Sequence, residues 1–129
     1  MTGKTKVLLT LATLGLAVLP VIIWAKLSFR PETAGQYNNL AKCLAEKKAV
    51  MYGAYWCSHC QAVKKEFGQS WQYIKYVECS VTGSQEQAPA CKEAGIKSYP
   101  TWVLSDGERL EGQVKITDLA NKSGCQEAL

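Results

Sequence analysis

The chain has 129 residues, of which 47% are hydrophobic and 20% charged, and this composition excludes both a disordered polar chain and a multi-spanning membrane protein. The formal net charge is +4, but four of the 15 bases fall within residues 1–30, where there is no acid. Residues 31–129 therefore carry 11 bases and 11 acids, so this part of the chain offers no basic surface for nucleic acid.

The first predicted element is a transmembrane helix over residues 7–25, a stretch without a charged side chain. As a helix, its 19 residues span roughly 28 Å, close to the hydrocarbon thickness of a bilayer. A cleaved secretory signal is the alternative, although the apolar run is long for one and lacks a good small-residue cleavage site. We expect an uncleaved membrane anchor over residues 1–26, followed by a linker over residues 27–36. The bases that flank the apolar run are Lys4, Lys6, Lys26 and Arg30.

The cysteine content indicates the compartment of the remaining chain. Six cysteines in 129 residues are many for a reducing cytosol and ordinary for an oxidising compartment. The flanking charges are balanced and favour a cytoplasmic N-terminus only slightly. We therefore expect a single-pass protein whose domain, residues 37–129, lies outside the cytoplasm.

Residues 37–129 are predicted to form one α/β domain in which helices and strands alternate. Strands separated by helices are expected to pair in parallel, and a final hairpin adds an antiparallel edge to a central mixed sheet flanked by helices. The predicted elements are a helix over 37–47, a strand over 49–56, a helix over 58–68, a strand over 73–78, a helix with a Ser84–Gln87 capping box that ends at Gly95, strands over 101–104 and 109–112, and a last helix capped by Thr117 that ends near Gly124.

The most informative motif is Trp56-Cys57-Ser58-His59-Cys60, which follows a predicted buried strand and begins a helix. At a helix N-terminus, Cys57 faces free backbone N–H groups that stabilise a thiolate, the attacking species in disulfide exchange. Cys60 lies one helical turn further on, where it can resolve a mixed disulfide. We expect Cys57 to be the nucleophile, His59 to tune its thiolate, and Trp56 to give partners an apolar surface.

Other kinds of site are less consistent with this motif. A haem attachment site needs a histidine directly after the second cysteine, where this chain has Gln61. A zinc site needs a second pair of ligands at suitable spacing, and none accompanies the other cysteines. A copper site made by the cysteines and histidine of the motif, a structural disulfide and a redox-inactive adaptor stay open. We expect no metal and no organic cofactor, because the cysteines can carry the electrons themselves.

Three features together resemble the thioredoxin family, over residues 37–129. They are YGAYWCSHCQ (52–61), the 39 residues between Cys60 and Pro100, and SYPTW (98–102). The resemblance implies a thioredoxin-like fold in which Pro100 is cis and lies beside the active cysteines. It further implies that Pro100, with Tyr99 and Thr101, forms the edge on which substrates dock.

With YVECS (76–80) and CKEAGI (91–96) included, the chain is similar to the thioredoxin-like domain fused to bacterial vitamin K epoxide reductase homologues. In those proteins the domain exchanges disulfides between a membrane-embedded, quinone-linked oxidase and secreted proteins. The resemblance therefore implies a membrane oxidoreductase of this type as partner, secreted or periplasmic protein thiols as substrates, and oxidation as the direction.

Two positions depart from the thioredoxin pattern. Thioredoxins and protein disulfide isomerases usually bury a carboxylate six residues before the first cysteine, where this chain has Met51. Deprotonation of Cys60 then needs water or another group, which argues against fast reduction of substrates, although a reductase or isomerase remains the alternative. Ser58 replaces a proline common in the motif, so the family's redox potential does not carry over.

The other four cysteines are expected to staple a small core, with electron relay to the motif as the alternative. Cys79 ends a predicted strand, Cys91 lies in the next helix, and the related fused domains carry a similarly spaced pair. We therefore expect a disulfide between Cys79 and Cys91. Elimination leaves Cys43 with Cys125, while free thiols and an intermolecular bridge stay open for these two.

Overall fold

A computed structural model describes residues 35–84 and 86–129 of the chain. The predicted membrane helix over residues 7–25 and most of the predicted linker lie outside these residues. Within the two described ranges, no helix combines the length and the apolar character needed to cross a membrane.

The described residues follow the predicted order of helices and strands. The elements are α1 (Asn38–Glu46), β1 (Val50–Gly53), α2 (Ser58–Phe67), a 3-10 segment (Gly68–Tyr73), β2 (Lys75–Glu78), α3 (Pro89–Glu93), β3 (Thr101–Val103), β4 (Arg109–Glu111), α4 (Ile116–Ser123) and a 3-10 segment (Gln126–Ala128). The α/β class and the mixed sheet flanked by helices are therefore confirmed.

The four strands form one sheet in the order β2-β1-β3-β4. β1 and β2 are parallel, as expected, but β3 is antiparallel to both β1 and β4. The expectation that every helix-separated pair is parallel was thus wrong for β3. The connection over residues 79–100 stays at the end of the sheet where β2 stops, because the Cys79–Cys91 disulfide holds α3 there, and β3 therefore starts at that end and runs back along β1.

Glycines end two of the helices where the sequence predicts. α2 is followed by Gly68 with φ 53°, and α4 is followed by Gly124 with φ 71°. A residue with a side chain rarely adopts such a backbone conformation, so a glycine at these positions ends the helix at little cost.

The two N-caps predicted from the sequence, at Ser84 and Thr117, were wrong. α3 begins only at Pro89, whose fixed φ suits the first helical turn, and the Ser84 hydroxyl instead accepts the N–H of Glu86. Thr117 lies inside α4, which starts after Lys115 without a side-chain cap. The strand predicted over 49–56 is also shorter, because β1 ends at Gly53.

The main core lies between one face of the sheet and helices α1, α2 and α4. Met51 from β1 and Trp102 from β3 are paired in register and point into this core. The opposite face carries a smaller cluster built around Cys79, Cys91 and Ile96. The largest side chains buried in the main core are those of Leu40, Leu44, Met51, Phe67, Trp102 and Leu119.

Two disulfides connect elements within these clusters. Cys43 in α1 is bonded to Cys125 after α4, and Cys79 after β2 is bonded to Cys91 in α3. These are the pairings that the sequence analysis reached. The first is geometrically direct, because α1 and α4 pack into the same core.

Candidate active site

Cys57 and Cys60 are thiols at the beginning of α2. Cys57 is the N-cap residue, and its Sγ accepts the backbone N–H of Cys60 at 3.4 Å. Cys57 keeps 7% of its surface exposed, whereas Cys60 is completely buried. Cys57 is therefore the cysteine whose sulfur a partner can reach, whereas Cys60 lies behind it and is shielded from solvent.

The segment around Pro100 lies directly against Cys57. The Tyr99–Pro100 peptide bond is cis, and the Cys57 thiol donates to the Tyr99 carbonyl oxygen at 3.6 Å. Pro100 and Thr101 are buried, and the Thr101 hydroxyl donates to the Ser98 carbonyl. Of the three residues expected to dock substrates, Tyr99 thus provides a carbonyl oxygen in contact with the reactive sulfur, while the Thr101 side chain points into the fold.

An aromatic surface surrounds the entrance to Cys57. Trp56 is 61% exposed and Tyr55 56% exposed, and the Trp56 ring packs edge-on against Tyr99 with centroids 6.0 Å apart. A cavity of about 560 Å³ lies between these rings and the chain that follows β2. A cavity of this size beside exposed aromatic rings has the dimensions of a ligand-binding cleft. Its polar lining includes Ser80, Ser84, Glu86 and Gln87.

His59 lies on the exposed side of α2, turned toward a residue that the sequence did not single out. Its Nδ1 is 3.2 Å from Oε1 of Gln113, which precedes α4. The imidazole therefore lies near the dithiol but is held by an amide from a distant part of the chain.

Burial raises the pKa of the Cys60 thiol to about 12, and a hydrogen bond with Cys57 contributes to the same effect. Gly53 makes this close packing possible, since a Cβ at that position would lie only 2.8 Å from Cys60 Sγ. Met51, which replaces the carboxylate that thioredoxins usually have at this position, is itself completely buried. Cys60 consequently lies in an apolar environment that keeps it protonated.

A group that the sequence analysis did not identify lies on the other side of Gly53. The Tyr76 hydroxyl donates to Oε2 of Glu78 at 2.8 Å, and Lys64 Nζ lies 3.9 Å from the centre of the Tyr76 ring. The only sequence signal for this pair is its spacing, because residues two apart in a strand share a face. That spacing alone does not show that the face adjoins Cys60.

No group of three or more His, Cys, Asp or Glu side chains is arranged to hold a metal ion in residues 35–84 and 86–129. The dithiol remains the chemically reactive feature of the site.

The sequence profile of the thioredoxin family matches residues 30–124. The chain belongs to the thioredoxin family. The matched range contains the Cys57–Cys60 motif, the cis Tyr99–Pro100 bond and all four strands.

A curated relative is the thiol-disulfide oxidoreductase LTO1 of Arabidopsis thaliana, 39% identical over 89 residues. The alignment covers 66% of this chain but only 23% of LTO1, so the chain spans less than a quarter of that protein's length. The thioredoxin domain of this chain is thus similar to a part of LTO1.

Two solved structures were also found, each 22% identical to this chain. One belongs to work on how the yeast mitochondrial 1-Cys peroxiredoxin thiol is resolved by the glutathione and thioredoxin systems, with a TM-score of 0.42 over 70% of this chain and 88% of the other. The second is oxidised mitochondrial thioredoxin 3 of Saccharomyces cerevisiae, with a TM-score of 0.36 over 71% and 87%.

Proposed function

We propose that the protein is a membrane-anchored thiol-disulfide oxidoreductase that oxidises the thiols of secreted or periplasmic proteins. The observation that carries the proposal is the pair of thiols at the start of α2, in which a slightly exposed Cys57 lies in front of a buried Cys60. Disulfide exchange needs this difference in exposure, since one sulfur must react with the partner while the other stays shielded until the second step.

In the proposed oxidation, a substrate thiolate attacks Sγ of Cys57 in the Cys57–Cys60 disulfide. The Cys57–Cys60 bond breaks, Cys60 leaves with the electron pair, and it takes a proton. A second substrate thiolate then attacks the substrate sulfur of the mixed disulfide, so that a substrate disulfide forms and Cys57 leaves as a thiolate. The substrate has lost two electrons, and the enzyme now holds the Cys57 thiolate and the Cys60 thiol.

The edge at Tyr99 provides a place for the substrate during these steps. Its carbonyl oxygen already lies 3.6 Å from Cys57 Sγ, so a polypeptide bound along this edge meets the reactive sulfur. Trp56 and Tyr55 offer exposed rings to the apolar side chains of such a polypeptide. No cofactor takes part in the exchange itself, because the sulfur atoms hold the electrons.

The oxidative direction is supported by two features of the chain. Met51 stands where a reductase of this family usually has a carboxylate that assists Cys60. The four bridged cysteines suit an oxidising compartment, the place where secreted proteins acquire their disulfides.

Residues 1–26 are the membrane anchor in this proposal, with the thioredoxin domain on the extracytoplasmic side. A membrane-embedded, quinone-linked oxidoreductase of the vitamin K epoxide reductase type then reoxidises the dithiol. The support is the uncharged stretch over residues 7–25 and the resemblance of the motifs to domains fused to such enzymes.

Trapping tests the activity, and the reduction potential tests its direction. A Cys60→Ala variant of the full chain should retain substrates as mixed disulfides on Cys57, while the matched Cys57→Ala variant should retain none. The reduction potential of the Cys57–Cys60 pair should be well above the roughly −270 mV of thioredoxin. A potential near that value contradicts the oxidase role and favours a reductase. Equal capture by both variants contradicts the assignment of Cys57 as the nucleophile.

A further inference from the structure

The Tyr76 hydroxyl is held close to the buried sulfur of Cys60 by the register of the sheet. Tyr76 pairs with Met51 and Glu78 pairs with Gly53, so both side chains point to the face covered by α2. A Cβ on Gly53 would lie 2.8 Å from Cys60 Sγ and 3.3 Å from the Tyr76 hydroxyl oxygen. The sulfur and the oxygen are therefore separated by no more than the sum of these distances, and the glycine leaves no side chain between them.

The Tyr76 hydroxyl donates its hydrogen bond to Glu78. An ionised carboxylate can only accept hydrogen bonds, so the Tyr76 hydrogen points toward Oε2 of Glu78. The other carboxylate oxygen accepts the N–H of Tyr55 at 3.1 Å, the N–H of Ser80 at 3.0 Å and the Ser80 hydroxyl. The phenol oxygen thus presents lone pairs, and no proton donor, to its remaining neighbours.

The ionisation of both groups is consistent with this arrangement. Partial burial favours a higher pKa for Glu78, but the hydrogen bonds from Ser80, Tyr76 and Tyr55 outweigh it and hold that pKa below its usual range. Burial, together with the bond to Glu78, raises the pKa of Tyr76. At neutral pH the pair is therefore a carboxylate and a neutral phenol.

We propose that Glu78 acts through Tyr76 to withhold a hydrogen-bond donor from Cys60, which slows the attack of Cys60 on a mixed disulfide at Cys57. Glu78 is then a positioning residue. The inference rests on the proposed function and extends it to the fate of the mixed disulfide.

The restrained step is the one that reverses substrate oxidation. The Cys60 thiol gives up its proton, its thiolate attacks Cys57 Sγ, and the Cys57–Cys60 bond forms. The bond from Cys57 to the substrate sulfur breaks, and the substrate leaves with the electron pair and takes the proton. The substrate is released without having been oxidised, so a slow Cys60 leaves time for the second substrate thiol to react.

A Glu78→Gln variant reverses the direction of the hydrogen bond. The amide oxygen can keep the three donors from Tyr55 and Ser80, while the amide NH₂ donates to the Tyr76 oxygen. The Tyr76 hydrogen is then free to turn toward Cys60 and stabilise its thiolate. Glu78→Asp is a second variant, which keeps the charge but withdraws the carboxylate from Tyr76.

The measurement is the release of thionitrobenzoate from a preformed mixed disulfide on Cys57 of the full chain, followed by stopped-flow absorbance across pH. Both variants should release it faster than the wild type. The gain should be about threefold for each tenfold increase in the thiolate fraction of Cys60, because nucleophilicity falls as the thiolate becomes more stable. The pH–rate profile should shift to lower pH, whereas structural damage alone would slow the release.

Two controls separate the route through Tyr76 from its alternatives. In Glu78→Gln combined with Tyr76→Phe the gain should disappear, and a gain that persists overturns the role of Tyr76. Glu108→Gln makes the same change of charge at a carboxylate that pairs with Lys122 and not with Tyr76, so it should leave the rate unchanged, and an equal acceleration there also overturns the proposal. Unchanged or slower release in both Glu78 variants does the same. If the wild type itself releases no thionitrobenzoate, the proposed function fails instead.

Discussion

The six cysteines of the domain form two regions with different surroundings. Cys57 and Cys60 are three residues apart at the beginning of one helix, whereas each bridged pair joins two separate segments with Cα atoms 5.9 or 5.6 Å apart. Burial does not distinguish the two regions, because Cys60 is as buried as most of the bridged cysteines. Those buried to within 1% of full burial are Cys60, Cys79, Cys91 and Cys125.

The difference between the regions lies in what surrounds the sulfur. Cys57 accepts a backbone N–H at a helix N-terminus and touches the Tyr99 carbonyl, so its environment is polar and open to a partner. The bridged sulfurs lie within or against the hydrophobic clusters, as those of Cys57 and Cys60 do, but they are bonded to each other and carry no free thiol. The same residue type thus serves exchange in one region and stapling in the other.

The largest expected effect concerns the stapling region. The Cys43–Cys125 bridge closes a separation of 82 residues and the Cys79–Cys91 bridge one of 12. By loop-closure entropy, removing the first should lower the free energy of unfolding by about 4.5 kcal/mol and removing the second by about 3 kcal/mol. Urea unfolding of Cys43→Ala/Cys125→Ala and of Cys79→Ala/Cys91→Ala measures both.

Each bridge variant serves as the control for the other, because both remove two mostly buried sulfurs. If a folded Cys79→Ala/Cys91→Ala variant still exchanges disulfides, the Cys79–Cys91 bridge stabilises the fold and takes no part in exchange. Loss of exchange in that folded variant would show instead that the second pair relays electrons to Cys57–Cys60. Equal losses of stability would contradict the loop-length explanation.

The second prediction concerns the difference in protonation between Cys57 and Cys60. Burial raises the pKa of Cys60 from 9.0 to about 12, so its thiolate fraction at neutral pH should be about a thousandfold smaller than in the unfolded chain. The thiolate should appear only as the pH rises toward 12. In reduced protein labelled with ¹³C at the Cys60 Cβ, the chemical shift should stay constant up to pH 10.

The control for Cys60 is the same label in urea, where the thiol should titrate near 9. Cys57→Ala removes the hydrogen bond from Cys57 but leaves the burial, so the titration of Cys60 should move only part of the way back. Titration of Cys60 below pH 9 in the folded protein would contradict the distinction between a protonated, buried Cys60 and a nucleophilic Cys57.

Local patterns in the sequence were sufficient for the features that depend on neighbouring residues. The order of elements, the dithiol at a helix start and the helix ends at Gly68 and Gly124 all follow from spacing and backbone preference. The capping box failed for a tertiary reason, because the Gln87 side chain donates to the Ile96 carbonyl and the Tyr99 hydroxyl instead.

Features that depend on register between distant segments were not accessible. The direction of β3 depends on how the chain returns to the sheet after α3. The approach of Tyr76 to Cys60 depends on the pairing of β1 with β2 across Gly53. Gln113 lies 54 residues from His59, and nothing in either local sequence indicates that they meet.

The smallest expected effect is that of His59 on the rate at which Cys57 attacks a disulfide. Its imidazole is exposed, so when protonated it should favour the nearby Cys57 thiolate only as much as a surface charge can. His59→Ala should slow the first attack of reduced enzyme on a model disulfide by up to about fivefold at low salt. In 1 M salt the two rates should converge, since the charge is then screened within about 3 Å.

Gln113→Ala provides the matched control, because it removes the oxygen that holds His59 Nδ1 and leaves the imidazole in place. If orientation of the ring matters, this variant should reproduce part of the loss seen in His59→Ala. If only the charge matters, it should behave as the wild type at every salt concentration. A His59→Ala defect that persists in 1 M salt would exclude a screened charge and would require that the ring contact the substrate directly.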